Sequence, residues 1–434
     1  MGRKKILQLF AGLFIFHILI SALFYFISVK GYFPSFHNHK GIWNYAIDSS
    51  GYHQEALKGL ELLKERRWGQ WWRHKYGSNW WHVRWIALMY WCVKPIPLAM
   101  APLNAFLWAS GFILMFFIAK NFLSTQKALI TAGMFSLFPS HIMNSIQLLK
   151  DPFYILGTLL FINGWVWAWR KRGLSLAGLI FAALNTAIGC YLVFKIRSYL
   201  LPAWILTGVV FYLLSIITNK KRIIPATILL TATLTVSAVT KHISVQYKFK
   251  IVLGKAPAKQ RRIATSSIVG YPWKYSNWIP DKIEHILIKL SKARYRYCTL
   301  SHQAGSNIDN SVYFHSARDV VKYIPRALEI GMLAPFPPFW LKKAKTCGRI
   351  CSIVTGGEML ILYFLYIGVV LWFCKRRRIE ETGLILWGIF FILLLSLVVI
   401  NLGTLYRMRH IYLLSFFIFG IGGWGEALKR IKNN

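Results

Sequence analysis

Apolar runs of about twenty residues recur along most of this chain, and each is long enough to cross about 30 Å of hydrocarbon as a helix. Backbone N–H and C=O groups find no water inside a bilayer, so such runs must satisfy their hydrogen bonds internally. The spans read as 6–29, 98–119, 126–146, 152–169, 174–194, 199–218, 223–241, 357–374, 382–402 and 410–425. The chain is 56% hydrophobic and 16% aromatic, values that soluble domains rarely reach. An all-α polytopic membrane protein of about ten helices is the expected fold class. The opening Met1-Gly2-Arg3-Lys4-Lys5 precedes an apolar run that is too long for a signal-peptide core and lacks a small-residue cleavage site. It reads as a retained first helix.

The short connections carry the orientation signal. Assigning alternate ends to the cytoplasm places Lys120 and Lys127, Arg170-Lys171-Arg172, Lys220-Lys221-Arg222, Lys375-Arg376-Arg377-Arg378 and Lys429-Arg430 on one side. Both termini fall on that side too, as in a multi-pass protein of the bacterial inner membrane. The 53 Lys and Arg against 14 Asp and Glu give a net charge of +39. Spread over many loops, this excess fits anionic membrane lipids and phosphate-bearing substrates rather than nucleic acid.

Two long stretches then face outward, 30–97 and 242–356. They divide the chain into an N-terminal transmembrane module (1–241), an extracytoplasmic loop region (242–356) and C-terminal transmembrane helices (357–434). The stretch 68–94 would break the alternation if it crossed. It interleaves Trp68, Trp71, Trp72, Trp80, Trp81, Trp85 and Trp91 with Arg73, His74, Lys75, His82 and Arg84, the composition of a membrane interface. Stacking of these indoles on sugar rings is the alternative. Tyr52, Ala56, Leu57, Leu60 and Leu63 share one helical face, as expected of an amphipathic helix lying in the membrane plane. Ile283, Ile286, Leu287 and Leu290 repeat that pattern after Pro280 and Asp281. Val320, Val321, Ile324 and Leu328 do so again, with Pro325 expected to interrupt. The run Ala334-Pro335-Phe336-Pro337-Pro338-Phe339-Trp340 cannot be a regular helix.

With this topology, Asp48 and His53, Lys150 and Asp151, Lys195 and Arg197, and Arg407 and Arg409 all stand at outer helix ends. Ionisable groups at membrane depth are costly and mark function. Lys and Arg hold phosphate, Arg in bidentate fashion. A carboxylate can take a proton from a hydroxyl. Together they fit transfer of a sugar from a polyprenyl phosphate to an acceptor hydroxyl. Phosphate departs readily, so one base and cationic stabilisation of the leaving charge suffice, and attack from the opposite face inverts the anomeric carbon. Asp48 is the expected base. Each residue also has a plainer reading. Asp48 or Ser49 would serve as the N-cap of the following helix, and Asp151-Pro152 is an efficient helix start. Lys150 would snorkel, the arginines would pair with lipid headgroups, and His53 would be an interfacial polar residue. No Asp-x-Asp motif or metal-ligand spacing is present, although Asp48 and Asp151 could share a divalent ion if they meet. Cys347 and Cys351 suggest free thiols or a local disulfide rather than zinc.

The chain resembles the bacterial GT-C superfamily, polytopic glycosyltransferases that include protein O-mannosyltransferases and lipid A aminoarabinose transferases. The similar features are Asp48 with Tyr52-His53 and Ala56, Phe138-Pro139-Ser140 leading to Lys150-Asp151-Pro152, and Arg197-Ser198-Tyr199. Arg296 then precedes Ala304-Gly305-Ser306-Asn307-Ile308-Asp309. Pro325-Arg326-Ala327, Ala334-Pro335-Phe336-Pro337 and Asn401-Leu402-Gly403-Thr404 with Arg407-Met408-Arg409 follow. The resemblance implies a catalytic acid at Asp48, a second acid at Asp151, and a polyprenyl-phosphate-sugar donor entering from the bilayer. Arg296, Ser306 and Asn307 would lie on a loop over the site. The first-loop motif lacks a paired acid, and no large soluble C-terminal domain follows. The acceptor would be a glycan, lipid or protein. A polymerase or ligase acting on pyrophosphate-linked glycans is a second expectation, and a flippase for lipid-linked sugars a third.

Overall fold

The computed structural model describes residues 2–74, 81–170, 175–245, 271–300, 305–342, 348–375 and 378–433. Lys75, Trp80, Lys171, Arg172, Ala304, Cys347, Arg376 and Arg377, named above, lie outside the described residues. Among those described the secondary structure is helical, with isolated β-bridges and no strand. Among the described residues, eight helices or helix runs are long and apolar enough to cross a membrane: Arg3–Val29, Pro97–Lys120, Leu176–Ile196, Ser198–Thr218, Lys220–Thr240, Gly348–Lys375, Ile379–Val398 and Leu402–Lys429. The chain is thus an all-α polytopic membrane protein by length and composition.

Two expected spans are not among the eight. The stretch 126–146 is cut into α6 (Thr125–Ser136) and α7 (Pro139–Ser145). Pro139 opens α7 and pushes Phe138 out of the helical region, to φ −56° and ψ 121°. The stretch 152–169 is one continuous helix, α8 (Asp151–Arg170), but its Trp, Tyr, Asn and Gly residues hold its hydropathy down. Almost every α8 side chain is buried in protein, so α8 is a core helix whose surroundings are side chains rather than lipid.

The chain forms two compact units: 1–251 with 364–384 and 414–434, and 252–363 with 385–413. The C-terminal helices contribute residues to both units.

In the first unit, α1 (Arg3–Val29) packs on α5 (Ala101–Lys120), which also packs on α6 and α8. The closest pair is α8 with α9 (Leu176–Ile196). Small residues permit this approach. A Cβ added to Gly189 would lie 2.5 Å from the Phe161 nitrogen and 2.6 Å from the Gly157 oxygen. At Gly164 it would lie 2.3 Å from Thr186 Oγ1. Small-residue contacts are the usual means by which membrane helices gain dispersion contact, because apolar burial against lipid contributes little. The pair α10 (Leu201–Thr218) and α11 (Ile223–Val245) completes this side of the unit, with α11 also against α9.

Ion pairs tie the basic ends of these helices to the start of α15 (Ile379–Val398). Arg170 reaches Glu381 at 2.6 Å and Arg222 reaches Glu380 at 2.8 Å. Trp372 Nε1 donates to the second oxygen of Glu381, which is fully buried.

Between α1 and α5 the chain forms α2 (Asp48–Lys64), α3 (Trp68–Arg73) and α4 (Val83–Cys92). Tyr52, Ala56, Leu60 and Leu63 are buried on one face of α2, as the sequence pattern requires, and α2 packs on α4. Trp68, Trp72 and Trp91 remain exposed, and the Arg84 guanidinium stands over the Trp72 ring.

The second unit holds α12 (Asp281–Leu300) and α13 (Ala317–Leu333). Both faces differ from expectation. On α12 it is Ile283 and Ile286 that are exposed, while Glu284, Ser291 and Arg294 are buried. The inward polar groups are satisfied. Glu284 accepts from Trp273 Nε1 and the Ser276 backbone, and Arg294 donates to the carbonyls of Asp309, Val312 and Leu397. Pro325 does not interrupt α13. It sits on the exposed side of the helix, as does Val321, four residues earlier, whose carbonyl the proline cannot bond. Within this unit Tyr363, on α14 (Gly348–Lys375), donates to the Leu333 carbonyl.

Candidate functional site

In the first unit two segments distant in sequence are tied together just before the residues of interest. The Trp43 amide donates to Gln147 Oε1 at 3.2 Å, and the Tyr45 hydroxyl donates to the Met143 carbonyl at 2.9 Å. Asn104, in the first turn of α5, donates to the Gln147 carbonyl at 2.9 Å. The chain leading into Asp48 and the chain leading into Lys150-Asp151 are therefore fixed to one another and to α5.

Asp48 is exposed and occupies the first residue of α2, where a carboxylate favours the helix dipole. The N-cap position falls on Ile47, which makes no side-chain cap, so neither Asp48 nor Ser49 takes that place. Lys150 is half-buried just before α8. Asp151 opens α8 and is buried, and its Oδ1 receives Arg197 Nη2 at 2.7 Å. Arg197 follows the C-terminus of α9 and is 2% exposed. Its guanidinium stands 4.1 Å from the centroid of Tyr154, whose hydroxyl accepts from Trp204 Nε1. Taking a charged pair out of water is costly, and the short bond and the aromatic face offset part of that cost.

His53 points from α2 to α4, its Nδ1 2.7 Å from the Tyr90 hydroxyl. Burial, and then Lys40, lower its pKa from the ordinary value, so it is neutral at pH 7. His82, immediately before α4, is fully buried, and its pKa falls to about 3, chiefly through burial. Lys150 contributes to that lowering and Asp151 opposes it, which places His82 within electrostatic reach of both. The His82 ring meets Tyr52 of α2 edge to face at 4.4 Å. Asp48, His53, Lys150, Asp151 and Arg197 thus belong to one unit, and Asp151 and Arg197 touch.

Arg296, Ser306, Asn307, Arg407 and Arg409 belong to the second unit. Arg296 is exposed on α12. Asn401 Nδ2 donates to Ser306 Oγ at 3.0 Å and to Asn307 Oδ1 at 3.3 Å, and the Leu402 amide donates to the Ser306 carbonyl. Asn401 also caps α16 (Leu402–Arg409) through the Thr404 amide. The 306–309 loop is therefore fastened to the start of the helix that carries both arginines. Arg407 is half-buried. Arg409 is 1% exposed, donates to the Gly331 carbonyl at 2.6 Å, and lies 4.6 Å from the Tyr406 ring. Tyr406 donates to the buried carboxylate of Glu358 at 2.7 Å.

Several of these groups escaped the sequence reading. Glu358 left a signal, a lone acid within an apolar span. Arg294, which holds the 309–312 loop by its carbonyls, looked like any surface arginine of an amphipathic helix. Asp309 receives Tyr323 and Arg326 at 3.0 Å each. Burial raises its pKa, but those two hydrogen bonds outweigh burial and leave it below the usual carboxylate value. Among the described residues no group of three His, Cys, Asp or Glu is placed to hold a metal ion. No protein-family model, curated protein or solved structure matches this chain.

Proposed function

We propose that the chain is a membrane glycosyltransferase of GT-C type. It moves a sugar from a polyprenyl-phosphate donor to an acceptor hydroxyl on the extracytoplasmic side, with inversion. The observation that carries this reading is the grouping in the first unit. An exposed carboxylate at the start of α2 is tethered, through Trp43 and Tyr45, to the segment bearing Lys150, and next to it Arg197 is clamped by Asp151.

In this mechanism Asp48 accepts the proton of the acceptor hydroxyl as its oxygen attacks the anomeric carbon. The bond from that carbon to the phosphate oxygen breaks, and the electron pair leaves with the phosphate. Lys150 and Arg197 balance the charge that grows there. Asp151 is a positioning residue that holds the guanidinium, and Tyr154 supports it from below.

Sidedness draws support from α14. Cys351, near its start, is disulfide-bonded, the chemistry of an oxidising compartment, and Lys375 stands at its other end with Arg378 just beyond.

The test is Asp48→Asn in the purified chain, with a prenyl-phosphoryl sugar and an acceptor pool from the envelope. Loss of a general base costs about 10²–10⁴-fold in rate. Turnover should fall by that much while binding of the lipid phosphate persists. Undiminished transfer by this variant would refute the base assignment.

A further inference from the structure

The bonds that turn Glu284 and Arg294 inward on α12 leave apolar side chains outside. Glu284 accepts from Trp273 Nε1 at 2.9 Å and from the Ser276 amide at 3.0 Å. Arg294 donates to the carbonyls of Val312 and Asp309 at 2.8 and 3.0 Å. The Lys274 amide donates to the His315 carbonyl at 2.7 Å. These bonds fix the rotation of α12 and the path of the segment before it. Tyr275, Trp278, Ile283 and Ile286 are exposed as a result, Trp278 to 63% and Ile286 to 58%.

A span does not account for this exposure. Neither α12 nor the segment before it is among the helices long and apolar enough to cross a membrane. Apolar side chains scattered singly over a surface are ordinary, but an indole, a phenol and two isoleucines held together at one end of a helix mark an interaction surface.

The neighbouring charges say what that surface meets. Lys282, Ile286, Lys289 and Arg296 are spaced four, three and seven residues apart, so they follow one side of α12, and all four are exposed. Between residues 281 and 299 the exposed acid is Asp281, since Glu284 is turned inward. A line of cations beside apolar and aromatic groups complements the boundary of an anionic bilayer. Trp and Tyr settle at the headgroup layer, isoleucine reaches the acyl boundary, and lysine lays its stem on apolar surface while its ammonium stays with the phosphates. A second copy of the chain is a poorer match, because a two-fold contact would set Lys282 and Lys289 against the same cations.

We infer that the face of α12 bearing Lys282, Ile286 and Lys289, with Trp278 ahead of it, docks on an anionic lipid surface as an interfacial helix. Arg294 grips the 309–312 backbone from the inward side of α12, so docking also sets the depth of that loop at the headgroup layer. This docking does not depend on the chemistry proposed at Asp48.

The test uses the full chain, one copy per lipid nanodisc, in a Cys92→Ser, Cys374→Ser background. Ile286→Cys carries a nitrobenzoxadiazole fluorophore, and the lipids carry a doxyl quencher near the top of the acyl chain. Quenching should be stronger, by about twofold or more, in discs containing phosphatidylglycerol than in phosphatidylcholine alone. Lys282→Glu with Lys289→Glu should bring the anionic discs to the zwitterionic level, because each basic residue near such a surface shifts docking by roughly fivefold. The fluorophore is the same in both proteins, so its own affinity for lipid cancels. All three substituted positions are exposed, so the result does not depend on repacking a core. Quenching by aqueous iodide but not by doxyl lipid would overturn the docking. Equal doxyl quenching in both lipids, or quenching that survives the charge reversal, would overturn the anionic choice. A fluorophore shielded from both quenchers would assign the face to a protein contact instead.

Discussion

Arg197 and Asp151 show how far a single residue can be interpreted before its partner is known. Each was a candidate for contact with substrate, and each meets the other first, at 2.7 Å and nearly out of solvent. Removing one partner strands a buried charge, at a cost of about 3–5 kcal/mol. Arg197→Leu and Asp151→Leu should each lower the melting temperature in detergent strongly, and the double variant should fall less than the sum. Additive losses would show that the pair is not coupled. His82 gives a prediction with a sign. Its folded pKa of about 3 lies below the ordinary 6.5, so the unfolded chain binds the extra proton between those values. This histidine's contribution is complete above pH 6.5 and is lost as the pH falls towards 3. Melting temperature should decline with acid across that window, and less steeply in His82→Gln.

At the scale of elements, α8 and α9 are held by shape. The Cβ added at Gly189 would meet backbone on α8 rather than a yielding side chain, so the helices must part to admit it. Gly189→Ala should cost about 1–3 kcal/mol, the usual range for overpacking. By moving α9, it should also loosen Arg197 from Asp151, read as a weaker affinity for farnesyl phosphate. An unchanged melt would contradict the close approach. The helices differ in how much of them could be read beforehand. The buried face of α2 follows from its pattern, because Tyr52, Ala56, Leu60 and Leu63 have one apolar partner surface on α4. The face of α12 does not, because Arg294 and Glu284 find enough carbonyls and donors to make their burial tolerable while Ile283 and Ile286 turn outward. Hydrophobic periodicity assumes that polar groups stay outside. A satisfied buried network removes that assumption.

For the whole molecule, the proposed sidedness rests on charge asymmetry and can be measured. In a Cys92→Ser, Cys374→Ser background, Ser50→Cys should react with a membrane-impermeant maleimide on intact spheroplasts. Lys220→Cys should react only after permeabilisation. Labelling of both from the same side would undo the assigned sidedness. The sequence by itself determined the all-helical, membrane-embedded class, since twenty-residue apolar runs have no other way to satisfy their backbone in lipid. It also determined the register of α2 and the candidate charged residues, because charge at membrane depth is rare enough to be conspicuous. Only the tertiary structure decided that α8 is a protein-lined core helix, whereas the break of 125–145 at Phe138-Pro139 is a local effect of the proline. Tertiary structure alone decided that Asp151 closes on Arg197. Those outcomes depend on which side chains meet across more than forty intervening residues, and such pairings leave no periodic trace along the chain.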